Sequence, residues 1–410
     1  MKTAVKHAIS LGAACFFAYA ACYVCRNMLS AMMPQLLSED IFPQKLLGGM
    51  GSAFFFTYGF GQFINGLIGN RVNPKYMVGT GLFLAGVLTL LFPHVTSNVG
   101  CILLWGGCGF LCSMLWPPIT KLVGENTNTK IGKLLLTAMT VASIAGTLVT
   151  YMLALLGSLS KSWRAAFAIS GIVLCVVSVF WILAITVMEK KGRLKSEVQT
   201  HTTVCVKGAM RTFFNTEFIA MTVVTMLNGV VCNAVAFWIP TFLSDFLNIR
   251  LELVASISIL LPILNISGTF LSVYLLKFTK GNEKAMCAVL FLYSAVLFAI
   301  LPVIGRHMTF LSVAALFLAN AAMISTSNMI FSIYVLRFKH TGMLSGITGF
   351  LDFASYLFAA VASSVFTNLL TYGGWNGVMG LWFGVAAAGT LASFIAQKSP
   401  SKPMQISTSV

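Results

Sequence analysis

The sequence predicts an all-α membrane protein: twelve transmembrane helices in two pseudo-symmetric six-helix bundles, with both termini cytoplasmic. Three observations carry that expectation. Of 410 residues, 58% are hydrophobic and only 9% are charged. Apolar runs of spanning length recur along the whole chain, and the basic residues collect in alternate loops. An ordinary soluble domain carries about 25% charged residues, and its surface-to-volume ratio leaves no room to bury so much apolar surface. A bilayer can take it up, because each helix turns its outer face to hydrocarbon.

Crossing about 30 Å of hydrocarbon needs roughly 20 residues of helix. Runs of that kind fall at 8–36, 47–69, 76–96, 98–122, 134–159, 164–188, 215–243, 253–277, 285–304, 309–336, 343–371 and 376–397. The first follows Lys2 and Lys6 but continues with no small-residue cleavage site, so it reads as a span and not as a signal peptide. With both termini inside, twenty of the 26 Lys and Arg residues face the cytoplasm; Lys45, Lys161, Arg164, Arg250 and Arg306 face outward, and Arg26 lies within the first span. That asymmetry obeys the positive-inside rule, and adding or removing a span would destroy it. The expected location is the cytoplasmic (inner) cell membrane.

Residues 1–188 form the first bundle, 189–214 a cytoplasmic linker ending in a basic surface helix, 215–397 the second bundle, and 398–410 a polar tail too poor in apolar residues to order itself. The halves echo each other. Met33-Pro34-Gln35 near the end of span 1 matches Ile239-Pro240-Thr241 at the end of span 7, and Trp163 opening span 6 matches Trp375 opening span 12. A six-plus-six repeat places a solute site at the midplane between halves.

The net charge of +16 sits in short loops beside apolar runs, which makes membrane lipid the partner and argues against nucleic acid. No phosphate-cradling glycine loop with Lys, catalytic dyad or metal-ligand cluster is seen. No enzyme activity, ATP drive, cofactor or metal is therefore expected. Cys22 and Cys25, and Cys108 and Cys112, lie inside apolar helices, where cysteine behaves as a small hydrophobe. The histidines fall in loops or at helix ends, so no histidine relay is expected.

Arg26 is the sharpest feature. A charge near the bilayer centre costs roughly 2.5–3.5 kcal/mol or more, so it must face a cavity or a partner. It either offers its fork of donors to an anionic solute or is tied structurally to Asp352. Asp352, in span 11, is the other ionisable residue within the membrane depth, and reads either as a proton-coupling carboxylate or as the ion-pair partner of Arg26. Gly66, Asn70, Arg71 and Lys75, around the loop between spans 2 and 3, form a candidate conformational latch that pins neighbouring helix ends. Trp116-Pro117-Pro118 removes backbone donors from span 4, so a kink is expected there. Gln62, Asn65, Asn228, Asn233, Asn265, Asn320 and Asn328 are polar groups at depth, available to solute or to neighbouring helices.

The stretch Tyr58 to Gly86, the pattern Arg26-Asn27 running to Met33-Pro34, Trp116-Pro117-Pro118 with Lys121, and Trp238-Ile239-Pro240-Thr241 are similar to the organophosphate:phosphate antiporters of the major facilitator type. The resemblance covers nearly the whole chain. It implies the twelve-helix fold, alternating access, and solute contacts at Arg26, Asn27, Tyr23, Gln62, Trp116, Asn228, Cys232 and Trp238. That family grips phosphate with an arginine on each half. Here Arg26 fills the first place and Cys232 the second, the family's second-helix lysine becomes Gln62, and Asp352 adds a negative charge.

One cation with an anion nearby suits a monoanion, a zwitterion or a weakly charged organic solute better than a dianionic phosphate. The expected protein is a monomeric secondary carrier of a small-molecule substrate, with a proton or inorganic phosphate as the coupled ion. A proton-coupled exporter using Asp352 is the alternative within that class. A transporter-like sensor of an external ligand is the alternative outside it.

Overall fold

The computed structural model describes residues 2–68, 72–127, 129–160, 162–192, 194, 215–335, 337–338 and 344–398. Asn70, Arg71, most of the expected linker with its basic helix, and the tail from 399 onward lie outside the described residues. What is described is helical, and ten helical segments are long and apolar enough to cross a membrane.

The first half contains α1 (Lys2–Ser38), α2 (Gln44–Ile68), α3 (Pro74–Leu91), α4 (Asn98–Cys112), α5 (Trp116–Asn126), α6 (Thr129–Leu159) and α7 (Trp163–Lys190). Helix starts follow their capping residues. The side chains of Asn73, Ser97 and Ser162 accept from backbone N–H groups in the first turns of α3, α4 and α7. The expected kink in span 4 is present: α4 stops at Cys112 and α5 restarts at Trp116, with proline in its first turn. Pro34, in contrast, sits inside an unbroken α1.

The second half begins with α8 (Thr216–Gly229), which runs through a π-helical turn, Val230–Val235, into α9 (Ala236–Thr241) and a second π turn, Phe242–Phe246. It continues with α10 (Leu251–Ser258), α11 (Leu260–Leu275), α12 (Glu283–Ile304), α13 (Thr309–Asn328) and α14 (Leu344–Lys398). A third π turn, Met329–Tyr334, prolongs α13. The expected spans 11 and 12 are joined in α14 across a break at Gly374, whose φ of 59° suits glycine.

The halves repeat the same fastenings. Lys75, opening α3, pairs with Glu189 at the end of α7 at 2.6 Å. Lys284, near the start of α12, reaches the Ala396 carbonyl at the end of α14 and pairs with Glu217 at 2.7 Å. Trp163 packs on Phe42 and Phe92, while Trp375 packs on Phe242 and donates to Asp245 at 2.7 Å. Lys75 therefore ties helices within its own half. Its part in the expected latch is this intra-half bond, while an ideal Cβ on Gly66 would meet nothing within 4 Å. A double-mutant cycle on Lys75→Met and Glu189→Gln should give a coupling of about 1 kcal/mol, as partly exposed pairs do, read as additive or non-additive shifts in thermal melting.

Between the halves, α2 packs along α14, and α6 packs against α10 and α11. Contact is tight toward the end of the bundle that carries Ser38 and Gln44. There Gly48 abuts Thr367, Gly51 abuts Phe237 and Ser363, and Ser52 and Ser364 share a hydrogen bond of 2.8 Å. Small residues allow such backbone approach without a hydrophobic driving force.

Candidate functional site

The site grows around Arg26, well inside α1. Its guanidinium carbon lies 5.3 Å from the Tyr23 ring centroid, 4.8 Å from Tyr58 and 5.1 Å from Tyr356. Each such contact is worth about 0.5–2 kcal/mol, more as water is excluded, which offsets the cost of a cation at depth. Nη2 donates to Asn233 Oδ1 at 2.9 Å and to the Tyr356 hydroxyl at 2.8 Å. Nη1 is shielded from solvent and has no hydrogen-bond partner among the described residues. A buried guanidinium nitrogen left unpaired is costly, and a single anionic group at that edge would remove the cost.

Local structure explains why these groups converge. Tyr23 stands one turn before Arg26 on α1. Tyr356 reaches α2 because Gly59 yields space: a Cβ there would lie 2.7 Å from Tyr356 Cβ. Gly229 does the same between α8 and the Ser355 backbone. Asn233 lies within the first π turn, where an extra residue per turn changes the direction of the following side chains.

The other expected contacts divide into groups. Gln62 donates to the hydroxyl of Tyr58, the ring that faces Arg26, at 2.9 Å, and is not among the acceptors of Arg26 Nη2. Asn27 donates to Thr147 at 2.8 Å and binds α1 to α6. Trp116 packs on Tyr19, which in turn packs on Tyr23, extending the aromatic wall. In the second half, Asn228 donates to Ser327 at 2.6 Å, and Cys232 lies 3.4 Å from Ser327 and 3.6 Å from Asn228. This cluster adjoins Asn233 in sequence and carries no formal charge. Trp238 is fully buried beside Phe237 and serves the packing of the core.

Asp352 is half-buried on α14, one turn before Tyr356, and is close enough for its charge to act on Arg26. Of the two readings open for Asp352, a direct ion pair with Arg26 is not formed: the ion pairs within 4.0 Å among the described residues involve Lys75, Lys284 and Arg337. Neutral acceptors, Asn233 and Tyr356, occupy the guanidinium instead. The sequence does not single out Tyr58, Tyr356 or Ser327, and it leaves Asn233 as one of several deep amides available to solute or to neighbouring helices. Only the i, i+4 spacing of Asp352 and Tyr356 hinted at their shared face.

The family model described as Major Facilitator Superfamily matches residues 15–360. A probable hexose phosphate transport protein of Chlamydia muridarum is 28% identical over 166 residues, 40% of this chain and 36% of that relative. The membrane sensor protein UhpC of Escherichia coli (strain K12) is 28% identical over 163 residues, 40% of this chain and 37% of its own. The chain thus spans little more than a third of the length of these curated relatives. Among solved structures, a bacterial homolog of the human lysosomal transporter Spinster, in an inward-facing and occupied conformation, superposes with a TM-score of 0.75. That match covers 95% of this chain and 96% of the other at 10% identity, a likeness of fold alone.

Proposed function

Because this chain belongs to the Major Facilitator Superfamily, we propose that it is a secondary carrier moving a small organic anion or zwitterion across the cytoplasmic membrane by alternating access, with Arg26 gripping the anionic group. The observation that carries the reading is the caged guanidinium, with Nη2 engaged and the Nη1 edge buried and unpaired. In this reading α2 is a span, and α14 supplies two spans across Gly374, which brings the ten counted segments to the expected twelve. The basic loops then place both termini inside. The tight end at Ser38 and Gln44 then faces outward.

The first relative's name makes organophosphates the first solutes to try. The neutral set Asn228, Cys232 and Ser327 offers no second cation, which favours solutes with one negative charge at the grip. The deciding experiment is uptake into proteoliposomes of labelled glycerol 3-phosphate, glucose 6-phosphate, a carboxylate and an amino acid, with and without a pH gradient. Uptake of none of them would sink the carrier reading. If those same anions still protected Cys232 from alkylation, the outcome would be that of a sensor.

A second reading, proton coupling, is favoured by Asp352. Arg26 from α1 and Tyr356 on its own helix are the charged and titratable groups that act on it. A carboxylate near one cation balances it, a bound monoanion leaves the site one charge negative, and a proton on Asp352 restores neutrality. Asp352→Asn should then abolish stimulation by a pH gradient while leaving exchange across equal pH. Undiminished stimulation in that variant would exclude Asp352 as the coupling group.

A further inference from the structure

Arg26 belongs to the first half, yet both hydrogen bonds from its Nη2 end on the second, at Asn233 on the π turn and Tyr356 on α14. Rings of Tyr23, Tyr58 and Tyr356 surround the same guanidinium. The donor edge that remains is the one bearing Nη1. Polar contact between halves continues from here toward the tight end, where Ser30 donates to the Phe237 carbonyl at 2.6 Å. The Arg26 bridge thus lies farther from the tight end than the Ser30 link does.

The chemistry of the two acceptors matters. A carboxylate at either place would cancel the charge of Arg26 and compete with any anionic solute. An amide oxygen and a phenol orient the guanidinium without neutralising it. We propose that Asn233 and Tyr356 are positioning residues of the anion site: they hold Nη2 across the midline, turn the Nη1 edge toward one anionic group, and join the grip on the solute to the closure of the halves. The part concerning solute rests on Arg26 being the anion contact; the part concerning closure does not. A guanidinium held at two points by the opposite half cannot re-aim without releasing that half. Binding and closure therefore share one linkage, and weakening the acceptors must shift both.

Cys232 supplies a native reporter. It is half-exposed and adjoins Asn233, whereas Cys15, Cys22, Cys25, Cys101, Cys108, Cys112 and Cys287 are buried. With Cys175 and Cys205 replaced by serine in the full chain, a membrane-impermeant maleimide reads access to Cys232 from either face in right-side-out and inside-out vesicles. Tyr356→Phe, which keeps the ring and loses the hydroxyl, and Asn233→Ala should each raise labelling from the Ser38–Gln44 face roughly five- to tenfold, as loss of one charge-assisted bond allows. The double variant should exceed either.

Ser178→Ala is the control, because its hydroxyl donates to the Gly79 carbonyl within the first half and its loss should leave labelling unchanged. The concentration of glycerol 3-phosphate that half-protects Cys232 should rise in the two clasp variants, a change that mere loosening of a helix would not bring. Equal labelling in the parent and both clasp variants would overturn the proposal, as would an equal rise in Ser178→Ala. Should Tyr356→Phe fail to elute as a folded protein, Asn233→Ala carries the same test. If glycerol 3-phosphate, glucose 6-phosphate, the carboxylate and the amino acid all gave no protection in the parent while the clasp variants still opened, the anion reading would fall and the cross-half clasp would stand.

Discussion

Arg26→Ala is expected to abolish uptake of an anionic solute, with a loss of roughly a hundredfold or more in initial rate. The residue carries the lone formal positive charge of the described site, and its fork of donors is split between the second half and the free Nη1 edge. Removing a buried partner of a charge costs about 3–5 kcal/mol, much of it from the charge left behind. In this case the stranded charge would belong to the solute. Arg26→Lys should recover little. An ammonium is a compact, strongly hydrated point charge without a planar fork, and it cannot hold Asn233 and Tyr356 while presenting a separate donor edge. The three tyrosine rings are also spaced for a flat cation. Initial rates in proteoliposomes, with detergent-solubilised thermal melting as a folding control, check both variants. Uptake by folded Arg26→Ala at the parent rate would remove Arg26 from the site.

Gly51→Trp is expected to stop transport through a different route, leaving the fold of each bundle and Arg26 itself in place while it holds the halves apart. A Cβ on Gly51 would lie 2.8 Å from two ring carbons of Phe237 and 3.3 Å from Ser363 Oγ, all in the opposite half. A tryptophan there has no room while the bundles are pressed together at this end. Each bundle's own packing is untouched, because the neighbours in conflict lie across the interface. The wedge should hold the halves apart and leave the site open to the Ser38–Gln44 face. Turnover then falls to about a hundredth of the parent rate or less, since a carrier that cannot close on one side completes no cycle. Labelling of Cys232 from that face should rise at the same time. Transport at an undiminished rate would show that closure at Gly51 is not a step in the cycle.

Much of the architecture was legible in the residues alone. The break at Trp116-Pro117-Pro118 follows from two missing N–H donors, a local property of the chain. The start of α3 follows from Asn73 and Pro74 in the same way. Most helix ends fall within a few residues of the expected runs, and the turn expected between the last two runs falls at Gly374, whose backbone leaves the helical conformation. The π turns after Gly229 and Asn328 were not legible. An extra residue per turn leaves no compositional mark, and it arises from how a helix fits its neighbours. The partners of Arg26 were not legible for a related reason. Charge complementarity offered Asp352 as one of two alternatives, and the guanidinium meets Asn233 and, one turn beyond Asp352, Tyr356.

By itself the sequence determined a multi-pass helical membrane protein and the presence of one deep arginine. Hydropathy, loop charge and the cost of a buried cation are properties of single residues added along a chain. The tertiary structure alone decided which groups meet that arginine and which of its edges stays free. Asn233 and Tyr356 stand 207 and 330 residues away from it in the chain, and no local pattern encodes a contact over such separations. That contact depends on the glycines that let α2, α8 and α14 approach, and on the π turn that aims Asn233 across the midline.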